Sequence, residues 1–333
     1  MKAILLEQYN PNLIELIKGL KVSEIETPVP AENEILVKLS AAPCNPSDIA
    51  FMRGMYNVKK ELPKAIGFEG CGIVVETGQN AKQFIGKRVS FFAQGSGHGT
   101  WAEFFLTKPG DCIFLNDNIS DDQAACLFVN PFTAYALYES VKEKCGGTIV
   151  INAAAGQVGN FIRVFAKRDN VNIINIVRRD KHVDLLRNAG QKYVVSSRSD
   201  NYSDELKEIF SELKPLVALD AVGGASSGML LNLMPENAEL IVYGGLSGEP
   251  IGGIDVLDVI FKNKSVRGFD LNQYIKNTEK ERFDELAVEL QKMIVSGDVQ
   301  TIIQSKYAAA DAGAAIRKYI TSMSDGKILL TFD

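Results

Sequence analysis

The sequence is poor in the residues from which many functional sites are built. It has two histidines and one tryptophan in 333 residues, and its five cysteines are scattered without a C-x-x-C pair. An odd number of dispersed cysteines is typical of free thiols in a reducing compartment, and it excludes a simple disulfide framework. No apolar run approaches the ~20 residues needed to cross a bilayer, so no membrane-spanning segment is expected.

An excess of positive charge is also absent. The chain has 36 Lys and Arg against 41 Asp and Glu, which gives a net charge of −5. This balance lacks the basic footprint of a nucleic-acid-binding protein. The first residues, MKAILLEQY, lack the apolar segment of a secretory signal and predict a β-strand instead. We therefore expect a cytoplasmic protein that binds a small molecule, with no nucleic-acid or membrane partner.

The chain does contain a regular alternation of strand and helix patterns between residues 119 and 274. Apolar or β-branched runs predict six strands, at residues 148–152, 171–177, 193–196, 216–220, 239–243 and 265–269. Strands separated by helices form a doubly wound parallel sheet, so we predict an α/β Rossmann domain over residues 119–274. Residues 1–118 are rich in strands and turns, and residues 275–333 add a helix and short pieces. These two stretches are predicted to form one mostly-β domain that flanks the insertion.

The first strand of the predicted sheet leads into a turn with almost no side-chain bulk. Residues 153–159 read AAAGQVG and precede a helix pattern. Backbone N–H groups at such a helix start can bind a pyrophosphate. The usual G-x-G-x-x-G motif appears with alanine in the first place, which alone is a weak signal. We predict that the dinucleotide contacts Ala155, Gly156, Gln157, Val158 and Gly159.

The second strand of the sheet ends in two arginines, Arg178 and Arg179. An NAD site carries an acidic residue at this point, where it binds the ribose 2′-hydroxyl. Guanidinium groups would instead bind a 2′-phosphate through paired hydrogen bonds. Two ordinary solvated charges at a strand end are the alternative. Together with the preceding turn, however, the arginines predict NADPH as the cofactor.

Several segments, in matching order and spacing, resemble the medium-chain dehydrogenase/reductase superfamily. They are GFEGCGIVVETG at 67–78, GKRV at 86–89, the AxxGxxG turn at 153–159 and DAVGG at 220–224. The resemblance implies a Rossmann domain inserted into a GroES-like catalytic domain. It also implies cofactor contacts by Thr133, near a helix start, and by Tyr243, Gly244 and Phe269. For Thr133, a helix-capping role is an equal alternative.

The zinc-binding positions of that superfamily are substituted in this sequence. The places of its Cys, His and third ligand fall on Asn45, on Phe68 and near Asn130. The four-cysteine structural-zinc lobe is missing as well, because residues 91–101 contain no cysteine. A phenylalanine cannot supply a donor to zinc. We therefore expect no metal.

The resemblance extends to the zinc-free branch of quinone oxidoreductases and mitochondrial-type 2-enoyl thioester reductases. The segments NPSDI at 45–49, RGMY at 53–56, GTW at 99–101 and VNPFTAY at 129–135 look like the enoyl reductases in particular. This implies hydride transfer from NADPH to a polarised C=C of a 2-enoyl thioester or enone. NADPH:quinone reduction is the alternative, and a non-catalytic NADPH-binding protein is a third possibility.

The same resemblance implies roles for three residues of the mostly-β domain. Tyr56 would donate a hydrogen bond to the anion that forms, Asn45 would orient the acceptor or the nicotinamide, and Trp101 would line the acyl pocket. The plainer alternatives are a half-buried aromatic, a turn residue before a proline and a core residue. Lys59 and Lys60 follow Tyr56 and could meet an acidic thioester carrier, although a solvated pair is the default. The apolar strand and helix at 239–261 would suit a homodimer formed by extension of the sheet.

Overall fold

The structure is a computed structural model that describes residues 1–93 and 97–332. Residues 94–96, which belong to the cysteine-free stretch 91–101, lie outside the described residues. The strands are β1 (Lys2–Leu6), β2 (Val22–Glu24), β3 (Ile35–Pro43), β4 (Lys64–Ala65), β5 (Glu69–Thr77), β6 (Arg88–Phe92), β7 (Phe104–Thr107), β8 (Cys112–Phe114), β9 (Thr148–Ile151), β10 (Asn172–Val177), β11 (Tyr193–Ser196), β12 (Val217–Asp220), β13 (Glu239–Val242), β14 (Ser265–Gly268), β15 (Ile303–Ala308) and β16 (Lys327–Thr331).

The helices are α1 (Leu13–Gly19), α2 (Pro46–Met52), α3 (Asp121–Ala125), α4 (Val129–Glu139), α5 (Gln157–Arg168), α6 (Asp180–Asn188), α7 (Tyr202–Leu213), α8 (Ala225–Leu233), α9 (Val256–Phe261), α10 (Leu271–Asn277), α11 (Lys280–Ser296) and α12 (Ala312–Ser322). Short 3₁₀ turns lie at Gln79–Phe84, Pro109–Asp111 and Ala309–Asp311. Among the described residues, no helix combines the length and the apolar character needed to cross a bilayer.

The chain divides into two compact units. Unit 1 comprises Met1–Pro131 together with Lys280–Asp333, and unit 2 comprises Phe132–Glu279. Unit 1 therefore consists of two segments that are distant in sequence, and unit 2 is a single continuous insertion between them.

Unit 2 is built on a six-stranded parallel sheet with the order β11-β10-β9-β12-β13-β14. Counted from the first strand of the unit, this order is 3-2-1-4-5-6, which is the strand order of the doubly wound dinucleotide-binding fold. Each of the six strands predicted from the sequence is present, and its ends differ from the predicted ends by at most one residue. The predicted fold class is confirmed.

Helix α5 illustrates how the helices of unit 2 cover this sheet. Its buried residues include Phe161, Ile162 and Phe165, which recur at the spacing of one helix face. Lys167 and Arg168 lie in its last turn, where a cation interacts favourably with the helix dipole. The Phe165 ring also packs edge-on against Tyr135 of α4, with centroids 5.8 Å apart. Phe165 therefore packs α5 against α4.

Unit 1 contains a seven-stranded sheet in the order β15-β16-β3-β5-β6-β8, with β7 paired to β3, and a smaller sheet in the order β2-β1-β4. The strands β3 and β5 approach each other so closely that a Cβ atom on Gly72 would lie 2.1 Å from the Lys38 carbonyl oxygen. This contact explains why the segment at 67–78 requires glycine at that position. A register shift between Leu39 and Ala41 marks an irregularity in the same pairing.

The core of unit 1 is strongly aromatic. Phe51, Phe68, Phe91 and Phe105 are at most 1% exposed. Trp101 lies in the same cluster, fully buried, and its indole N–H donates to the Pro43 carbonyl oxygen at 3.3 Å. The expected role of Trp101 as a wall of an acyl pocket needs an accessible ring face. In this structure the side chain is a core residue and presents no such face.

Candidate functional site

The turn after β9 in unit 2 brings the chain very close to itself. Ala153 adopts a left-handed conformation with φ of 47°, and Gly156 is the N-cap of α5. A Cβ atom on Gly159 would lie 2.4 Å from the Ala154 carbonyl oxygen, so only glycine fits there. The first backbone N–H groups of an α-helix have no acceptor within the helix. The predicted residues Ala155, Gln157 and Val158 thus lie in or beside a helix start suited to an anion.

Two polar side chains at the ends of neighbouring strands shape the same edge of the sheet. The buried Asp220 carboxylate accepts hydrogen bonds from the backbone N–H groups of Val222 at 2.7 Å and Gly223 at 3.1 Å. It also accepts bonds from the Asn152 amide at 2.5 Å and from the Ser227 hydroxyl. Asn152 in turn accepts the Ala221 N–H at 2.8 Å. This network joins the ends of β9 and β12, where the strand order reverses and ligands of such sheets bind.

Sequence reasoning missed the importance of Asn152 and Asp220. Both residues were noted only as the end of a strand or as part of the DAVGG segment. The available signal was their position, because polar residues that directly follow two buried strands of a parallel sheet meet at one edge.

Arg178 and Arg179 directly follow β10. Arg178 is exposed, and Arg179 is half-buried at the N-cap of α6. The neighbouring strand β11 is followed by a third arginine, Arg198, which is exposed and was not predicted from the sequence. Val177 pairs with Ser196 in the sheet, so these strand ends are adjacent. The carboxylate of Asp180 is nearby and accepts a hydrogen bond from the Ser196 hydroxyl at 3.1 Å. The ends of β10 and β11 thus carry three arginines, with the Asp180 carboxylate beside them.

The remaining cofactor residues predicted from the sequence lie in unit 2 as well. The backbone N–H of Tyr243 donates to the Asp220 carbonyl at 2.9 Å, and that of Phe269 donates to Val242 at 2.9 Å. A Cβ atom on Gly244 would lie 2.8 Å from the Ala221 carbonyl oxygen. The structure therefore brings Tyr243, Gly244 and Phe269 to the edge that carries Asp220. Thr133 is buried within α4, and its contact with a cofactor stays a prediction.

In unit 1, Asn45 is the N-cap of α2, and its side chain takes part in a buried network. The Asn45 Nδ2 donates to Glu69 Oε2 at 3.0 Å, and Asn45 Oδ1 accepts from the Lys327 ammonium. Asn45, Glu69 and Lys327 are at most 3% exposed. A buried ionic network therefore holds the amide of Asn45. Its role in orienting an acceptor or the nicotinamide stays a prediction.

Glu69 and Asp48 are the two carboxylates of this buried network. The second oxygen of Glu69 accepts the N–H groups of Phe128 at 2.9 Å and Val129 at 2.7 Å, at the start of α4. Burial raises the pKa of Glu69, against the opposing effect of Lys327. Burial also raises the pKa of Asp48 to about 7, although one of its oxygens accepts the Asn45 backbone N–H at 2.7 Å. The other oxygen, Oδ1, has no hydrogen-bond partner among the described residues.

Phe68 fills the place next to this network at which zinc enzymes carry histidine. Its ring contacts the half-buried Tyr56 ring, with centroids 5.5 Å apart and planes inclined by 33°. The Lys60 ammonium lies 5.6 Å from the centre of the same Phe68 ring. Within the part of the chain that the structure describes, no three His, Cys, Asp or Glu side chains form a group that could hold a metal ion.

Known proteins share both units with this chain. The family model for the alcohol dehydrogenase GroES-like domain matches residues 31–117, and that for zinc-binding dehydrogenase matches residues 158–291. The mitochondrial enoyl-[acyl-carrier-protein] reductase of Xenopus tropicalis is 32% identical over 293 residues, which cover 84% of this chain and 80% of that protein.

Solved structures of two bacterial proteins are also similar. One, described as an NADPH:quinone reductase of Mesorhizobium loti, has a TM-score of 0.91 and 32% identity and covers 99% of this chain and 98% of its own. The other, a quinone oxidoreductase of Escherichia coli complexed with NADPH, has a TM-score of 0.86 and 26% identity. The match covers 99% of this chain and 100% of that protein. The chain therefore belongs to the medium-chain dehydrogenase/reductase family of oxidoreductases, in the branch of the enoyl-[acyl-carrier-protein] reductases and quinone oxidoreductases.

Proposed function

We propose that this protein is an NADPH-dependent reductase that transfers hydride to the polarised C=C of a 2-enoyl thioester or an enone. The single observation that carries the proposal is the pairing of a glycine turn at the end of β9 with a cluster of arginines after β10 and β11. Such an edge suits a dinucleotide with a 2′-phosphate. The enoyl reductase of Xenopus tropicalis supports the type of acceptor.

The residues of unit 2 fit NADPH. The N–H groups of residues 155–159 at the start of α5 would bind the pyrophosphate, and Arg178, Arg179 and Arg198 would bind the 2′-phosphate. Tyr243, Gly244 and Phe269 would hold the nicotinamide part, with Thr133 as a further contact. When bound, the cofactor would supply a hydride, which is a proton with two electrons. We propose residues 119–274 as the nucleotide-binding domain.

The residues of unit 1 would act on the substrate, and we propose residues 1–118 and 275–333 as the catalytic domain. Hydride adds to the electron-poor carbon of the C=C, and the π electrons move to the carbonyl oxygen as an enolate. The Tyr56 hydroxyl would donate a hydrogen bond to that oxygen, because developing negative charge is stabilised by a prepositioned donor. A proton then adds to the α-carbon, which completes the reduction. Asn45, held in place by Glu69 and Lys327, would orient the acceptor or the nicotinamide.

NADPH:quinone reduction is the second candidate. It is favoured by the similarity to the quinone oxidoreductases from Mesorhizobium loti and Escherichia coli. A quinone needs the same hydride, but the quinol anion takes its proton on oxygen. The dependence on a hydroxyl beside the acceptor therefore distinguishes the two reactions. If purified protein binds NADPH tightly but reduces neither class of acceptor, a non-catalytic NADPH-binding protein is the better description.

The residues at the zinc positions do not fit zinc. A zinc ion requires nitrogen, sulfur or carboxylate donors in a tetrahedral set. Phe68 has no donor atom, and the Asn45 oxygen is bound to the Lys327 ammonium, whose charge would repel a dication. We infer that the protein works without zinc. Elemental analysis of purified protein should find no stoichiometric zinc, and chelators should leave activity unchanged. One zinc per chain would contradict this inference.

We also propose that the protein is a cytoplasmic homodimer. All five cysteines are buried free thiols, which supports a reducing compartment. Strand β14 ends the parallel sheet, and the adjacent α9 exposes Val256, Ile260 and Phe261, the last of them 76% exposed. An unpaired strand edge beside exposed apolar side chains is a typical surface for pairing with a second copy.

The dimer can be tested by light scattering on the protein as purified. The wild type should have twice the mass of one chain, and Phe261→Glu should shift the protein toward monomer because a carboxylate would be buried in the interface. Val29→Glu changes an equally exposed apolar residue, at 77%, in unit 1 and should leave the mass unchanged. A monomeric wild type would contradict the proposal.

Removal of Arg178 and Arg179 should strongly reduce the preference for NADPH. Loss of a hydrogen bond to a charged group costs about 1.5–3 kcal/mol, so Arg178→Ala/Arg179→Ala should weaken NADPH binding by roughly 100-fold or more. NADH lacks the 2′-phosphate, and its dissociation constant should change little. Arg317→Ala, an exposed arginine of unit 1, serves as the control. If the double variant keeps the wild-type ratio of the two constants by calorimetric titration, the phosphate site is elsewhere.

Tyr56→Phe should affect turnover more than binding. The variant keeps the aromatic ring that packs on Phe68 and removes only the hydroxyl. Turnover of crotonyl-CoA should fall by roughly 10²–10³, as for loss of one oxyanion donor. The dissociation constant of NADPH should be unchanged, and benzoquinone reduction should fall less. Near-wild-type crotonyl-CoA reduction by a folded variant would leave Tyr56 with a packing role only.

A further inference from the structure

The surroundings of Tyr56 contain the positively charged side chain of Lys60, whose backbone is held by hydrogen bonds. The backbone of Lys60 is held by Tyr9, whose hydroxyl accepts the Lys60 N–H at 2.7 Å and donates to the Lys60 carbonyl at 3.0 Å. The Tyr9 ring packs edge-on against Phe51 at 5.5 Å, and Phe51 packs against Phe68 at 5.3 Å. A cluster of buried rings therefore fixes the segment that carries Lys60.

The Lys60 side chain and Tyr56 contact the same ring. The ammonium of Lys60 lies 5.6 Å from the centre of the Phe68 ring, and the Tyr56 ring lies 5.5 Å from it. The ammonium donates to the Ala93 carbonyl at 3.4 Å, and no carboxylate of the described residues lies within ion-pair distance of it. A half-buried ammonium that forms no ion pair within the described part of the chain is costly to maintain, and it exerts its field on whatever occupies the space beside it.

We propose that the Lys60 ammonium is an electrostatic residue of the reduction site, which stabilises the anion that forms on the acceptor beside Tyr56. The proposal deepens the proposed function and rests on it. The hydride brings two electrons to the C=C, and the carbonyl oxygen gains a full negative charge before the α-carbon receives its proton. Tyr56 meets this charge with a hydrogen bond. Lys60 meets it with a field that needs no contact and no rearrangement during the reaction.

The charge of Lys60 depends on pH within the working range of enzymes. Burial, with a further contribution from Lys64, lowers its pKa from 10.5 to about 8. Asp48 acts in the opposite direction, and the half-buried His98 is a third titratable neighbour, whose own pKa is lowered by burial and by these two lysines. A group with this pKa is an ammonium below pH 8 and becomes neutral as the pH rises through about 8. Stabilisation of the anion should be lost over the same interval.

The test compares three variants of the full-length protein with the wild type, with crotonyl-CoA and benzoquinone as acceptors. Lys60→Met should lower kcat about tenfold at neutral pH, which corresponds to about 1.4 kcal/mol. Coulomb's law with an effective dielectric constant near 20 gives an effect of this size for a charge ~10 Å from the anion. The KM for the acceptor and the dissociation constant of NADPH should change little. Lys38→Met removes an exposed lysine of β3 and should behave as the wild type.

The pH profile provides the sharper comparison. In the wild type, kcat should fall as the pH rises through about 8. Lys60→Arg keeps its charge at every accessible pH, so its kcat should stay near the neutral-pH value of the wild type and should not fall there. Lys60→Met should show a low kcat without this step.

Three results would overturn the proposal. If the wild type is active and Lys60→Met has the same kcat and the same pH profile, Lys60 has no electrostatic role, while the proposed function stands. A rise in KM for crotonyl-CoA with unchanged kcat would assign Lys60 to binding of the anionic carrier instead. A wild type that reduces neither acceptor would overturn the proposed function together with this role of Lys60.

Discussion

The buried ammonium of Lys327 is the constraint on which much of unit 1 depends. It lies at the start of the last strand, β16, and reaches an asparagine 282 residues earlier in the chain. Through Asn45 it is linked to Glu69, which accepts the first N–H groups of α4. Loss of one partner from a buried ionic network costs about 3–5 kcal/mol, because the remaining charge has no compensation. Three segments far apart in sequence are therefore tied together at one point.

This network also binds Asn45, which occupies a position at which the zinc enzymes of the superfamily carry a metal ligand. Buried positive charge can be supplied at such a position in two ways. One is a metal dication with anionic ligands, and the other is an ammonium with carboxylate and amide partners. The ammonium differs in that it cannot act as a Lewis acid on an alcohol oxygen. The chemistry left to such a site is reduction of an acceptor that is already polarised, with the developing anion met by hydrogen bonds and by charges nearby. The location of Tyr56 and Lys60 against Phe68 fits that requirement.

The sequence predicted unit 2 better than the polar residues of unit 1. Strands such as β9 and β10 are marked by local β-branched runs, and the need for Gly159 follows from a short motif. The buried contacts of Asn45 could not be predicted, because its partner Lys327 is remote in sequence and belongs to no motif. The burial of Trp101 could not be predicted for a similar reason, since only packing in three dimensions decides whether a large aromatic residue lines a pocket or fills a core.

The two kinds of positive charge in this protein respond differently to pH. The arginines after β10 and β11 stay protonated, so binding of a phosphate at that edge is insensitive to pH near neutrality. In unit 1, the Lys60 ammonium near Phe68 has a pKa lowered to about 8, mainly by burial. Its charge is therefore lost as the pH rises through about 8, whereas the arginines keep theirs. An anion formed beside Tyr56 is stabilised more strongly below this pH than above it. The pH dependence of the chemical step should thus arise in unit 1, while cofactor affinity in unit 2 stays constant.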